Sequence, residues 1–173
     1  MLYKYKLAIR LTIAFLSLIF YKLFYIILIP LTFYSSYYIL KLLNFSPTIT
    51  DNIIKISNYN LKFIPACAAV SAYLLLVLLI TLTKNISFKK SLLIFITGSF
   101  LILAMNILRI ELLIIILIKY GADYFNTLHL FFWKILSTVY VALLWILLTK
   151  LFKIEKIPVY SDIKFLIRLI KKD

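Results

Sequence analysis

Long apolar runs separated by short polar stretches dominate the chain, and their lengths carry the first structural information. Four runs stand out: Leu7–Ile29, Ala66–Thr83, Ser91–Ile118 and Leu128–Leu148. A hydrocarbon core about 30 Å thick needs roughly 20 apolar residues in a helix, so each run reads as a transmembrane span. The first is too long for a signal-peptide core and ends at Pro30 with no small-residue cleavage site, so it reads as an uncleaved span. Pro30 permits a break. The stretch Leu31–Phe45 that follows, with Phe33, Tyr34, Tyr37 and Tyr38, is interfacial in character and allows a fifth, tilted or re-entrant, segment. Pro65 suits the first turn of the second span.

Two stretches depart from this pattern. Between Thr48 and Ile64, IIKISNYNLKFI alternates apolar and polar positions on either side of Ser57-Asn58, which predicts a short β-hairpin on the external face, with an irregular loop as the less favoured alternative. From Ser161 onward, Ile163, Leu166, Ile167 and Ile170 form one stripe, and Lys164, Arg168, Lys171 and Lys172 another. That pattern predicts a basic amphipathic helix on the cytoplasmic leaflet. The fold expected is an all-α integral membrane protein: a bundle of about four spans with a small external hairpin. It forms a single membrane-embedded domain over 1–173 with its core at 48–148.

Composition agrees. The chain is 65% hydrophobic with two glycines in 173 residues and a mean hydropathy of +1.07, which excludes an ordinary soluble domain. The net charge of +14 would suggest nucleic acid in a soluble chain. Here it lies in short loops and tails, where it sets topology and meets anionic lipid; no nucleic-acid partner is expected. Lys4, Lys6, Arg10, Lys84, Lys89, Lys90 and the basic residues from Lys150 onward gather on one side, against Lys41, Lys55, Lys62 and Lys119 on the other. The positive-inside rule then puts both termini in the cytoplasm.

Three residues on this scaffold can do chemistry: Cys67, Arg109 and His129. Cys67 opens the second span and is the sole cysteine, so no internal disulfide can form. Alone it reads as a small buried hydrophobe; beside a base or cation it becomes a nucleophile. Arg109 lies inside the third span, where a charge costs about 2.5–3.5 kcal/mol on insertion scales, so it needs a partner or a task. Asn106, three residues earlier, shares its helix face, while Glu111 points away and could meet Lys134 or Lys22. His129, the sole histidine, opens the fourth span; it is either an interfacial anchor beside Trp133, Tyr124 and Phe131 or a base near neutral pH. One His and one Cys are too few to hold a metal, and no cofactor is expected. With alternating span directions, all three residues fall toward the external half, Arg109 the deepest.

Alternating strands, then PACAAVSAYLLL around Cys67, NILRI at 106–110 and FNTLHLFFW around His129: this order resembles the exosortase/archaeosortase family, over roughly residues 48–148. The resemblance implies a membrane-embedded cysteine transpeptidase of the cell membrane, in a short, archaeosortase-like form. Such an enzyme cleaves the C-terminal sorting signals of exported surface proteins (motif, transmembrane span and basic tail) and passes the new C-terminus to an acceptor, in archaea a lipid. By the same resemblance Cys67 is the nucleophile, Arg109 a thiolate or oxyanion stabiliser and His129 the general base and acid, with Asn106 in support. Many members carry Cys-Ser-Gly where this chain has Cys67-Ala68-Ala69, a difference that bears on subgroup and substrate. High Ile and Lys with few Gly point to an AT-rich genome; the source expected, apart from that composition, is archaeal.

Two other classes compete. In a non-enzymatic transporter or channel subunit, Arg109, Glu111 and Lys134 would be packing or pathway charges, and Cys67→Ala would be silent. An interfacial lipid-modifying enzyme would need an acidic or metal site, yet outside the cytoplasmic segments only Asp51, Glu111 and Asp123 are acidic.

Overall fold

The structure, a computed structural model, describes residues 2–154 and Pro158; the amphipathic stripe from Ser161 lies outside the described residues. Among these residues, six α-helices and one small sheet follow in the order α1 (Leu2–Ile19), α2 (Tyr21–Leu42), β1 (Thr48–Thr50), β2 (Ile53–Ile56), β3 (Tyr59–Lys62), α3 (Val70–Thr81), α4 (Phe88–Tyr120), α5 (Ala122–Phe131) and α6 (Ser137–Leu151). A 3-10 turn, Pro65–Ala68, precedes α3, and a π-helical turn, Phe132–Leu136, joins α5 to α6.

α4 is the central rod. It packs against α2, α3, α5, α6 and the 3-10 turn. Two apolar clusters flank it: one joins α3, α4 and α6 through Tyr73, Leu76, Ile94, Ile102, Leu144 and Leu148; the other joins α2, the sheet and the far half of α4 through Phe33, Leu40, Ile54, Ile56, Ile110 and Ile114. Gly98 lets the first cluster close. A Cβ there would stand 2.7 Å from Leu76 Cδ2 and 3.1 Å from Leu148 Cδ1. Outward, Ile26, Phe100, Leu112, Leu143 and Leu147 are exposed, a surface suited to lipid rather than water.

By length and composition, α2 and α4 can cross a membrane. α3, with 12 residues, is shorter than an upright span requires. α5, the π-helical turn and α6 follow one another without a break, from Ala122 to Leu151.

The break in the first run falls elsewhere than Pro30. The helix is interrupted at Phe20, and α2 continues through Pro30 to Leu42, burying Thr32, Phe33, Ser36 and Leu40. A proline removes one N–H from a helix, but in apolar surroundings a broken helix would strand several more backbone groups; packing against α4 and the sheet keeps the helix whole. Residues 31–42 are thus the second half of α2 and not a segment separated from it at Pro30.

The hairpin forms at Ser57-Asn58, pairing Ile56 with Tyr59 and Ile54 with Leu61. It is part of a three-stranded antiparallel meander, since β1 pairs with β2 through a second tight turn at Asp51-Asn52. Its inner face carries Ile54 and Ile56, both fully buried against α2 and α4.

The two ends of the molecule differ in charge. Arg10 Nε donates to Thr81 O at 2.6 Å and Lys90 Nζ to Lys153 O at 3.5 Å. These bonds bring α1, the end of α3, the start of α4 and the chain after α6 to one basic end. The sheet lies against the opposite half of α4.

Candidate functional site

The turn after β3 positions the thiol. Pro65 starts a 3-10 turn in which Cys67 N–H donates to Ile64 O at 2.8 Å. Ala69 then takes a left-handed conformation, φ 49°, and α3 begins at Val70. Cys67 therefore sits one turn ahead of the helix it was expected to open. Left-handed backbone costs a residue with a Cβ about 1–2 kcal/mol, which glycine avoids. The third position of Cys-Ser-Gly falls on this residue, giving that glycine a conformational reason.

Asn106 ties this turn to α4. Its Nδ2 donates to Cys67 O at 2.7 Å, a contact between residues 39 apart in sequence. Only 6% of Asn106 is exposed. One turn further along α4 is Arg109, 8% exposed, with Nη1 3.5 Å from Ser137 Oγ and a buried, unpartnered Nε. Among the described residues no carboxylate pairs with it, which weakens the reading of Arg109 as half of a structural ion pair. It lies within electrostatic reach of both Cys67 and His129.

His129 is half-buried on the last turn of α5, its ring 5.4 Å from that of Phe125. Phe125 packs against the imidazole; the side chain of Trp133, expected beside it, is not among those described. Gly121, at φ 86°, lets the chain leave α4 and fold α5 back along it.

These elements converge. A cavity of about 280 Å³ is lined by Cys67, Arg109 and His129 together, with Phe125, four residues at β3 and the turn beyond it, and the apolar face of α4 from Ile110 to Leu117. Arg109 also borders a second space of about 450 Å³ between α2, the 3-10 turn, α3 and α6. The guanidinium thus stands in the wall between two cavities.

Ser137 was not anticipated. Ser137 follows the π-helical turn; its Oγ donates to Phe132 O at 2.8 Å and accepts from Arg109 Nη1 at 3.5 Å. Extra-wide turns of this kind often mark functional positions. The available signal was that a buried arginine needs acceptors and span four offers few hydroxyls.

Glu111 belongs to a different place. It points away from Arg109, as its spacing required, and is buried at 7% exposure without an ion pair among the described residues. Ser36 on α2 is a polar side chain near it, yet by geometry neither its hydroxyl nor the Glu111 carboxylate has a hydrogen-bond partner among the described residues. Lys22 is exposed and does not reach it, and the Lys134 side chain is not among those described. Among the described residues no His/Cys/Asp/Glu group could hold a metal ion.

A lipid-suited helical exterior around a cavity that gathers thiol, guanidinium and imidazole describes a helical membrane protein with a polar group cluster inside it. Residues 2–148 match the family model described as Transmembrane exosortase, and the chain belongs to that family. Its members are in general membrane cysteine transpeptidases acting on C-terminal sorting signals of proteins. No curated protein and no solved structure matches the chain.

Proposed function

We propose that this protein is a transpeptidase in which Cys67 attacks the scissile carbonyl of a sorting signal, Arg109 stabilises the developing negative charge and His129 moves the proton. The observation that carries the reading is the single cavity shared by these three side chains. A neutral thiol is a poor nucleophile and its thiolate a strong one. His129 takes the thiol proton as sulfur bonds to the carbonyl carbon. The peptide C–N bond then breaks, and the leaving amine receives that proton. An acceptor amine, hydroxyl or water attacks the resulting thioester and frees the thiol. Arg109 acts through a fixed, buried charge already in place, where it is more effective than a charge in open water.

The finer features follow the charge pattern. Basic residues gather at the end opposite the sheet, so the positive-inside rule puts that end, with both termini, in the cytoplasm. The sheet and cavity then face outward in the cell membrane of an archaeal cell, within a bundle of about four spans. A sorting signal with its own span and basic tail can lie beside the helices, and a membrane lipid is the acceptor best placed to reach the thioester. Asn106 supports the nucleophile by fixing its turn.

Co-expression with C-terminally anchored surface proteins of the same genome tests this, with tail removal followed on a gel. Wild type removes the tail; Cys67→Ala and Cys67→Ser do not, while accumulating normally in the membrane. Processing that persists without Cys67, with Cys67→Ala otherwise silent, would favour the non-enzymatic membrane subunit.

A further inference from the structure

β3 forms part of the cavity wall, and its hydrogen-bonding pattern shows which part. The two-residue turn at Ser57-Asn58 makes Ile56 and Tyr59 a hydrogen-bonded pair, and alternation makes Ile54 and Leu61 the next. Asn60 and Lys62 therefore direct their main-chain N–H and C=O away from β2. The pairing on the other side of β2 agrees: Thr50 with Ile53 and Thr48 with Lys55 are its hydrogen-bonded pairs, so Ile53 and Lys55 face β1. β3 is an edge strand, and no other described backbone pairs with Asn60 or Lys62.

That edge opens on the cavity. Asn60, Leu61 and Lys62 all line the space that holds Cys67. Leu61 lies on the inner face of the sheet, while Asn60 and Lys62 are exposed on the other. Consecutive residues on opposite faces can border one cavity only along the edge of the strand, and the other edge is covered by β2.

We propose that the segment of the sorting signal around the scissile bond binds as an added strand on β3, its main chain paired with the outward groups of Asn60 and Lys62. This rests on the transpeptidase reading above. The occupant is an extended polypeptide because a row of alternating donors and acceptors is what a peptide backbone matches and a lipid chain does not. Strand addition takes affinity from main-chain bonds and leaves selectivity to pockets for alternate side chains. Here the inner-face pockets would be apolar, between Phe63 and Ile110–Leu117. Beyond Lys62 the chain turns through Phe63 and Ile64 to Cys67, so a strand paired on β3 lies beside the thiol.

The test uses the full chain in lipid vesicles with a fluorogenic peptide copying the segment outside the terminal span of such a surface protein. Asn60→Pro and Lys62→Pro each delete one outward donor, while the β2 ladder does not use those N–H groups. Ile49→Pro makes the same change on the far edge, where Ile49 on β1 also points outward. Cleavage efficiency should fall about tenfold or more in the β3 variants, mainly through KM, and stay within about twofold of wild type in Ile49→Pro. Equal Cys67 labelling by a methanethiosulfonate reagent verifies folding. Should a β3 variant misfold, disulfide trapping between Asn60→Cys, in a Cys67→Ser background, and single-cysteine peptides decides the matter. Strand pairing gives capture at alternating peptide positions; even capture at consecutive positions, or none, overturns it. Wild-type cleavage unchanged in both folded proline variants overturns strand docking alone, whereas absence of wild-type cleavage overturns the transpeptidase reading with it.

Discussion

Replacing Asn106 by alanine should slow the chemistry more than it unfolds the protein. The Nδ2 bond to Cys67 O, 2.7 Å, is the side-chain link between the thiol's turn and the helix that carries Arg109. Asn106 is 94% buried, from its 6% exposure, so the alanine variant leaves the Cys67 carbonyl without this donor. A buried polar group left unsatisfied costs about 1–3 kcal/mol. If the turn relaxes to recover that energy, Cys67 moves relative to Arg109, and a misplacement of about 1 Å can cost on the order of 100-fold in rate. We expect kcat/KM for peptide cleavage to fall about 10- to 100-fold, chiefly in kcat, with slower Cys67 alkylation and a modest drop in Tm. Asn106→Asp, close in shape but without the donor, should behave at least as badly. Wild-type kinetics and alkylation in Asn106→Ala would refute the argument that this bond positions the thiol.

Other substitutions test other parts of the structure. Ala69→Gly should raise stability by about 1 kcal/mol by relieving the left-handed backbone at φ 49°, seen as a higher midpoint in a detergent thermal melt. Gly98→Val should destabilise by about 1–3 kcal/mol, because even its Cβ would crowd Leu76 and Leu148; the same melt would register it. Arg109→Lys should retain membrane accumulation while losing about 100-fold or more in cleavage rate, since an ammonium does not reproduce the reach or planar geometry of guanidinium. Glu111→Gln should melt no lower than wild type, because among the described residues the buried carboxylate has no cation to lose; a clear drop would point to an ionic partner.

The sequence revealed most where one periodicity persisted over a long stretch. The run Ser91–Ile118 is α4, Phe88–Tyr120, and the alternation around Ser57-Asn58 is the β2–β3 hairpin. Asn106 and Arg109 share a face because three residues make most of a helical turn. What stayed hidden depended on tertiary contact. Proline at position 30 is a helix breaker by local rules, and only packing on α4 and the sheet keeps α2 continuous. β1 is three residues of Thr-Ile-Thr, too short to show a period until β2 lies beside it. The 3-10 turn under Cys67 and the π-helical turn before Ser137 each shift the register within an apolar run, where hydropathy is blind to one added or missing backbone bond.

The most direct test of the central claim, that Cys67 forms the covalent intermediate, is intact-protein mass spectrometry after a brief reaction with substrate, with and without neutral hydroxylamine. The account predicts an adduct on Cys67 with the mass of the substrate's N-terminal portion, removed by hydroxylamine, diminished in Arg109→Lys and absent in Cys67→Ala. Substrate cleavage that continues in Cys67→Ala, with no adduct on wild-type Cys67 at any time, would contradict it.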